Sequence, residues 1–433
     1  MKAIAVSVWI FINLVFFGMC GYIYLLWSQY WLYISRQKQH QDELVRRSDT
    51  PLVDYFQEPI VFNEQLNQPI SGNELRYKKT TLFKRKNKPR FARVQLTEPP
   101  TYRKNCSKCK NNLNRLSTFK DQLVVRFRQV LHEESNVFIS KKDNPYGVKF
   151  SGRKIQADGK KPKTLICDLK QVLPKVNTIS GFQTPFIGTD LGRLIPRNKL
   201  FSQNEHYNNC AIITNSGAFT GSRLGPLIDN HDLVLRFNHA PTKGYELDVG
   251  SKTSIRILNS QVVSKPEFNF LSSSMYRNIK LLAWDPCNYT TSLEKWRNKP
   301  DFDVFTPYMA HRRLNPNTNF HLVDPRDMWI LWNYLQMYTS VRIRRNPPSS
   351  GFLGLALLLP YCSTINLFEY IPSMRLTKKC HYFDDSDDSS CTFGVWHPLA
   401  AEKLLSLNLN TASDETVFQA GYITVPGYNR LGC

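Results

Sequence analysis

Apolar residues run from Ala3 to Trp27, interrupted only by polar Ser7 and Asn13 and small residues. A helix of that length crosses the ~30 Å hydrocarbon layer of a bilayer. Tyr22, Tyr24, Trp27, Tyr30, Trp31 and Tyr33 crowd the C-terminal end of the run, as an interfacial aromatic belt does. A cleaved signal peptide has a shorter apolar core and a small-residue cleavage site. Residues 1–34 are therefore expected to be a short tail and an uncleaved transmembrane signal anchor. From 35 to 163 the chain is polar, punctuated by proline and poorly periodic, which predicts a largely irregular stem. One segment, Leu113 to His132, departs from this: Leu116, Phe119, Leu123, Val124, Phe127 and Val130 recur at helical spacing. It is expected to be a helix that packs onto the folded part.

After Cys167 short apolar runs recur: Cys210–Ile213, Leu233–Phe237, Ser254–Leu258, Ile279–Trp284, His321–Val323 and Ile365–Phe368. They are continuous rather than alternating, as strands covered on both faces tend to be. Between several of them lie helix-length segments, including Met328–Tyr338 and the strongly apolar Gly351–Leu359. Strands alternating with helices predict an α/β fold with a doubly wound, mainly parallel sheet. Ligands of such sheets sit beyond the carboxyl ends of the strands. Polar residues stand at those ends here: Asn215-Ser216-Gly217, Asn238, Asn259-Ser260-Gln261 and Asp285.

The net charge of +22 is unevenly placed. Thirteen basic residues between Arg76 and Lys110 face a single acidic one, Glu98. A nucleic-acid patch is one reading of such a block. Behind an anchor, a solvated basic linker touching acidic lipids or glycans fits better, and no nucleic-acid partner is expected. Ten cysteines suggest an oxidising compartment. Asn105-Cys106-Ser107 and Asn288-Tyr289-Thr290 are glycosylation sequons at Asn105 and Asn288, and both point to a secretory lumen. The basic residues after the apolar run argue the opposite way by the positive-inside rule. Long domains often translocate regardless of flanking charge, so the lumen is expected.

Two cysteines, Cys380 and Cys391, are spaced to close a small loop, with His397 just outside it and Glu402 five residues on. A histidine held on a cross-linked loop suits general-base catalysis, because imidazole titrates near neutrality and must be held within reach of its proton. A surface histidine beside a structural disulfide has the same spacing. Asn346-Pro347-Pro348-Ser349-Ser350-Gly351 precedes an apolar helix, and Ser349 or Ser350 can cap it. Such a helix start offers free backbone N–H groups to an anion, or is an ordinary capped core helix. The glycines at 217, 221 and 225 do not have dinucleotide-fingerprint spacing. The acidic run Asp384–Asp388 reads as a solvated turn, no acidic metal motif stands in a plausible donor loop, and no metal or cofactor is expected.

Taken together, Cys210–Gln261 resembles the long motif of the eukaryotic sialyltransferases (glycosyltransferase family 29). Asn346–Tyr370 resembles their short motif, His381–Asp384 their third, and His397–Glu402 their very short motif. The resemblance runs from about Cys167 to Cys433 and is nearest the beta-galactoside alpha-2,6-sialyltransferases. It implies a Rossmann-like, GT-A-like variant of the sheet, with a lumenal catalytic domain over 164–433 on a single-pass type II Golgi anchor. It implies transfer of sialic acid from CMP-sialic acid to the 6-hydroxyl of terminal galactose or N-acetylgalactosamine on glycoproteins, an inverting reaction without a metal. His397 would be the general base. Asn215, Asn238, Asn259, Ser349, Ser350, Gly351, His381, Thr392 and Trp396 would meet the donor, and Gln261 and Asp301 the acceptor. Cys167–Cys433, Cys210–Cys362 and Cys380–Cys391 would pair. Trp396 stands where related enzymes carry Tyr, and Cys106, Cys109 and Cys287 fall outside the family pairing. Cys106 and Cys109 bridge locally or join two stems, which leaves a homodimer open. The alternative function is a membrane-tethered glycan-binding protein of the same fold that has lost turnover.

Overall fold

A computed structural model describes residues 107–433, apart from 138–143, 156, 158, 203, 389 and 395. Helices of nine or more residues and all strands are labelled in chain order. They are α1 (Ser107–Val137), α2 (Pro162–Val172), β1 (Tyr207–Ile213), β2 (Leu233–Phe237), β3 (Ile255–Asn259), β4 (Lys280–Trp284) and α3 (Phe305–Leu314). There follow β5 (Phe320–Leu322), α4 (Pro325–Met337), α5 (Ser350–Leu358), β6 (Cys362–Phe368), α6 (Leu399–Leu409) and β7 (Tyr422–Pro426).

The strands form one sheet in the order β5-β4-β3-β2-β1-β6-β7. Every pairing is parallel except β6 with β7. All five residues of β2 are buried, as a strand covered by helices on both faces requires. The expected mainly parallel, Rossmann-like α/β sheet is present, and its expected strands lie within two or three residues of the observed ones. The antiparallel edge strand β7 was not expected. The order reverses at β1, which has β2 on one side and β6 on the other, so the crevice beyond the ends of β1 and β6 is where such a sheet binds ligands.

The helix expected over Leu113–His132 is present and packs onto the folded part, and the residues around it, expected to be irregular stem, join the same body. Helix α1 is part of the packed body: Leu116, Phe119, Leu123, Phe127, Val130 and Leu131 are each no more than 7% exposed. Their spacing puts them on one face, which meets the far side of the region around α6: Phe119 packs on Phe418 at 5.8 Å and Phe127 on Phe393 at 5.7 Å between ring centroids. Beyond α1, Tyr146 and Phe150 pack against Trp329 and Trp332 of α4. The segment fills core volume despite a polar average, because its apolar residues are few but aligned.

All three expected disulfides are formed, Cys167–Cys433, Cys210–Cys362 and Cys380–Cys391. Cys287 is a buried free thiol. The expected anchor over residues 1–34, the sequon at Asn105 and Cys106 lie outside the described residues. Among the described residues no helix is long and apolar enough to cross a membrane. Asn288 is exposed.

Candidate active site

The ends of β1, β2, β3 and β6 border a cleft of about 250 Å³. Asn215, Asn238, Asn259, Ser349, Ser350, Gly351, His381, Thr392 and His397 all line it, so nine residues expected at the donor site or in catalysis meet in one place. Trp396, Gln261 and Asp301 do not line it.

Asn238 turns the chain at the end of β2 with φ +50°, a conformation asparagine tolerates better than most residues. Its Oδ1 accepts from the Asn259 amide at 3.0 Å, and Asn259 Oδ1 accepts from Val262 N at 3.0 Å. Both carbonyl ends are thereby committed to holding the turn, which leaves the NH2 ends as donors for a ligand. The buried Arg256 supports the same loop, Nη1 donating to the carbonyls of Asn238 (2.8 Å) and Ala240 (3.0 Å). Asn215 Oδ1 is buried and lacks a partner, an acceptor that a bound ligand donor would satisfy.

Helix α5 starts at the cleft. Ser349 caps it, its Oγ accepting from Phe352 N at 3.3 Å. The same hydroxyl and the Ser349 amide both donate to the buried Glu402 carboxylate, which also accepts from Tyr370 Oη at 2.7 Å. Ser349 is thus fully engaged in orienting the helix start. Ser350 Oγ accepts from Trp284 Nε1 at 2.8 Å. A Cβ on Gly351 would lie 2.6 Å from Cε2 of Tyr370, which is buried and tethered to Glu402. Backbone and ring approach here as closely as only glycine allows, and the helix keeps its N–H groups open to an anion.

His397 reaches the cleft from the chain just before α6. Its Nδ1 lies 2.8 Å from the Pro347 carbonyl oxygen. A carbonyl only accepts, so Nδ1 carries the hydrogen and Nε2 presents its lone pair. Burial pushes its pKa down to about 4, against the smaller raising effect of the Pro347 bond, so the imidazole is neutral at physiological pH. Trp396 crosses its ring edge-on at 4.4 Å, and Trp284 lies 6.3 Å away on the strand side.

Lys403 also lines the cleft, one turn of α6 beyond Leu399. Its Nζ donates to the Thr392 carbonyl and stands 5.6 Å from the Phe127 ring of α1. Burial lowers its pKa to about 7, although Glu402 and Glu369 hold it up. The sequence reading missed this cation, Tyr370 and Glu402's role. The signal available was the i, i+4 spacing of Leu399 and Lys403 behind a histidine.

Outside the cleft mouth, Tyr146 connects Trp396, which was expected at the donor but does not line the cleft, with Asp301, expected at the acceptor. Its ring meets Trp396 edge-on at 6.4 Å and its Oη lies 3.5 Å from Asp301 Oδ2. Asp301 is exposed and Gln261 half-buried, just past Asn259. His381 stacks on Phe383 and pairs through Nδ1 with Asp384 at 2.5 Å. Cys380, His381 and Cys391 offer ligand atoms within 4.8 Å of one another, but the disulfide consumes both thiolates that a metal would need.

The profile of glycosyltransferase family 29 (sialyltransferase) matches residues 184–413, more than half of the chain. Beta-galactoside alpha-2,6-sialyltransferase 2 of Bos taurus is 41% identical over 299 residues, 67% of this chain and 58% of that protein. Its Homo sapiens counterpart is 41% identical over 291 residues, 67% of this chain and 54% of that protein. The chain thus spans little more than half the length of these relatives. The crystal structure of a mammalian sialyltransferase covers 62% of this chain and 83% of its own at 18% identity, with a TM-score of 0.33, too low a likeness to argue from. The matched region holds the cleft strands, the start of α5 and the His397 loop, and the chain belongs to glycosyltransferase family 29, the sialyltransferases.

Proposed function

We propose that this protein transfers sialic acid from CMP-sialic acid to the 6-hydroxyl of a terminal galactose, or N-acetylgalactosamine, on glycoprotein glycans. The observation that carries the reading is His397, held neutral with Nε2 free in a cleft lined by asparagine donors and a helix start. In the reaction the acceptor oxygen attacks the anomeric carbon as the bond to the CMP phosphate breaks. Nε2 takes the acceptor's proton, and inversion follows from displacement on the opposite face. The leaving phosphate and the donor carboxylate meet the N–H groups of Ser350 and Gly351 and the ammonium of Lys403, so developing charge falls on groups already in place. The NH2 ends of Asn238 and Asn259 read the nucleotide, and the bare Asn215 Oδ1 accepts from it. Gln261, Asp301, Tyr146 and Trp396 form the acceptor side, the two rings offering flat faces to a sugar. The fold is read as a GT-A-like variant carried on a type II Golgi anchor, with the domain in the lumen. Incubation of the full chain with CMP-sialic acid and a panel of terminal disaccharides, with linkage analysis of the product, tests this. An α2,6 product on a galactose or N-acetylgalactosamine acceptor is expected; no transfer to either overturns the reading.

Two predictions arise here. Because Lys403 and the helix amides supply the charge stabilisation, turnover is expected to be unchanged by a chelator. Loss of activity with chelator, restored by a divalent ion, contradicts this. The pH dependence of kcat/KM for the donor is also specified. Lys403 loses its charge as pH rises through about 7, and His397 loses its lone pair only as pH falls toward 4. The alkaline limb should therefore lie near neutrality, and the acid limb well below an ordinary histidine's 6.5. Lys403→Arg, charged throughout, should move the alkaline limb upward by more than about one unit. An unmoved limb removes Lys403 from the account.

A further inference from the structure

Asp285 ends β4, outside the cleft, with its carboxylate fully buried. Four groups from three segments converge on it. Oδ2 accepts from Trp296 Nε1 at 2.8 Å and from Asp301 N at 3.0 Å. Oδ1 accepts from Phe302 N at 3.1 Å, and the Ser260 hydroxyl also donates to the group. Ser260 stands between Asn259 and Gln261, while Asp301 and Phe302 are the loop that leads into α3. A buried carboxylate is costly unless its lone pairs are used, and here three of the four donors come from the two segments of the acceptor side, the fourth being Trp296. Among the described residues it forms no ion pair, and these hydrogen bonds hold it in place.

We propose that Asp285 is a positioning residue for acceptor recognition, its buried carboxylate fixing Gln261 and Asp301 relative to each other. The inference rests on the acceptor reading of those two residues given above. It makes the acceptor side a single clamped unit, separable from the donor side built on Asn215, Asn238 and α5. Asparagine at 285 keeps the volume but turns an NH2 group toward N–H donors, loosening the loop without emptying the site.

The test uses the full chain with CMP-sialic acid and the preferred acceptor, measuring KM for each, kcat, and acceptor-independent hydrolysis of the donor to free sialic acid. Asp285→Asn is expected to raise acceptor KM roughly 10-fold, the scale of one lost hydrogen bond to a charged group. Donor KM and hydrolysis should stay within about twofold, a split that general loss of structure does not produce. Ser260→Ala, which removes one donor only, should raise acceptor KM about threefold, and decides the question if Asp285→Asn does not accumulate folded. Asp301→Asn is the reference. If it raises acceptor KM while neither other variant does, the positioning role is overturned alone. If Asp301→Asn leaves acceptor KM unchanged, the acceptor reading falls and this proposal with it. Equal loss in donor and acceptor parameters for Asp285→Asn also overturns it.

Discussion

A chain shortened to begin at residue 164, where composition places the start of the catalytic domain, is expected not to accumulate as folded enzyme. One beginning at 107 is expected to fold and work. Besides Tyr146, Phe150 and the first residues of α2, the shorter chain lacks α1, whose six apolar side chains from Leu116 to Leu131 are buried in the core. Burying each is worth about 1.5–3 kcal/mol, so together they contribute on the order of 10 kcal/mol. Whole-domain stabilities are about 5–15 kcal/mol, so removal consumes most or all of the margin. The surface ion pair Lys120–Asp414 adds little. The helix also bears on the site directly, with Phe127 against Phe393 and under Lys403. Phe127→Ala should cost about 3–5 kcal/mol and lower turnover by loosening the disulfide loop. Soluble yield, melting temperature and turnover of the two truncations decide the matter. A 164–433 chain matching the 107–433 chain in all three contradicts the role given to α1.

What was legible in the sequence follows from how each signal arises. The parallel strands showed as unbroken apolar runs because both faces are covered, and their polar ends marked the cleft because ligands of such sheets bind there. The helical period of α1 was visible and so was its packing onto the folded part, because its apolar residues align on one face; what a polar average hid is how far the helix runs beyond Leu113–His132, to Ser107–Val137. The edge strand β7 has largely alternating burial, so it lacks the unbroken apolar run that marked the covered strands. Lys403 and Tyr370 were missed for a physical reason: their roles depend on burial and on partners 11 and 32 residues away, Thr392 and Glu402. Tyr146 was assigned to the stem, and only the packing of its ring on Trp329 and Trp396 brings it into the folded body beside the His397 loop. Ser349, expected to touch the donor, lines the cleft with its hydroxyl bonded to the cap and to Glu402, partners that sequence spacing does not show.

The second large effect is expected at His397. His397→Ala should lower turnover by about 100-fold or more, the usual scale for a lost general base. Donor affinity should hold, because the groups assigned to the nucleotide and phosphate are Asn238, Asn259, Ser350, Gly351 and Lys403. The bond from Nδ1 to Pro347 predicts more than loss of a base: it fixes which nitrogen works. Glutamine at 397 can still donate to the Pro347 carbonyl and preserve the loop, but cannot take a proton at neutral pH. His397→Gln should therefore retain the fold and lose the chemistry.

The measurement closest to the central claim is single-turnover transfer by wild type and His397→Gln at neutral pH, with melting temperatures taken on the same preparations. The account predicts melting temperatures within about 2 °C, on the order of 1–1.5 kcal/mol for a domain this size, with CMP-sialic acid still bound and the transfer rate down about 100-fold or more. A His397→Gln protein that melts like wild type and transfers sialic acid at a near-normal rate would contradict it.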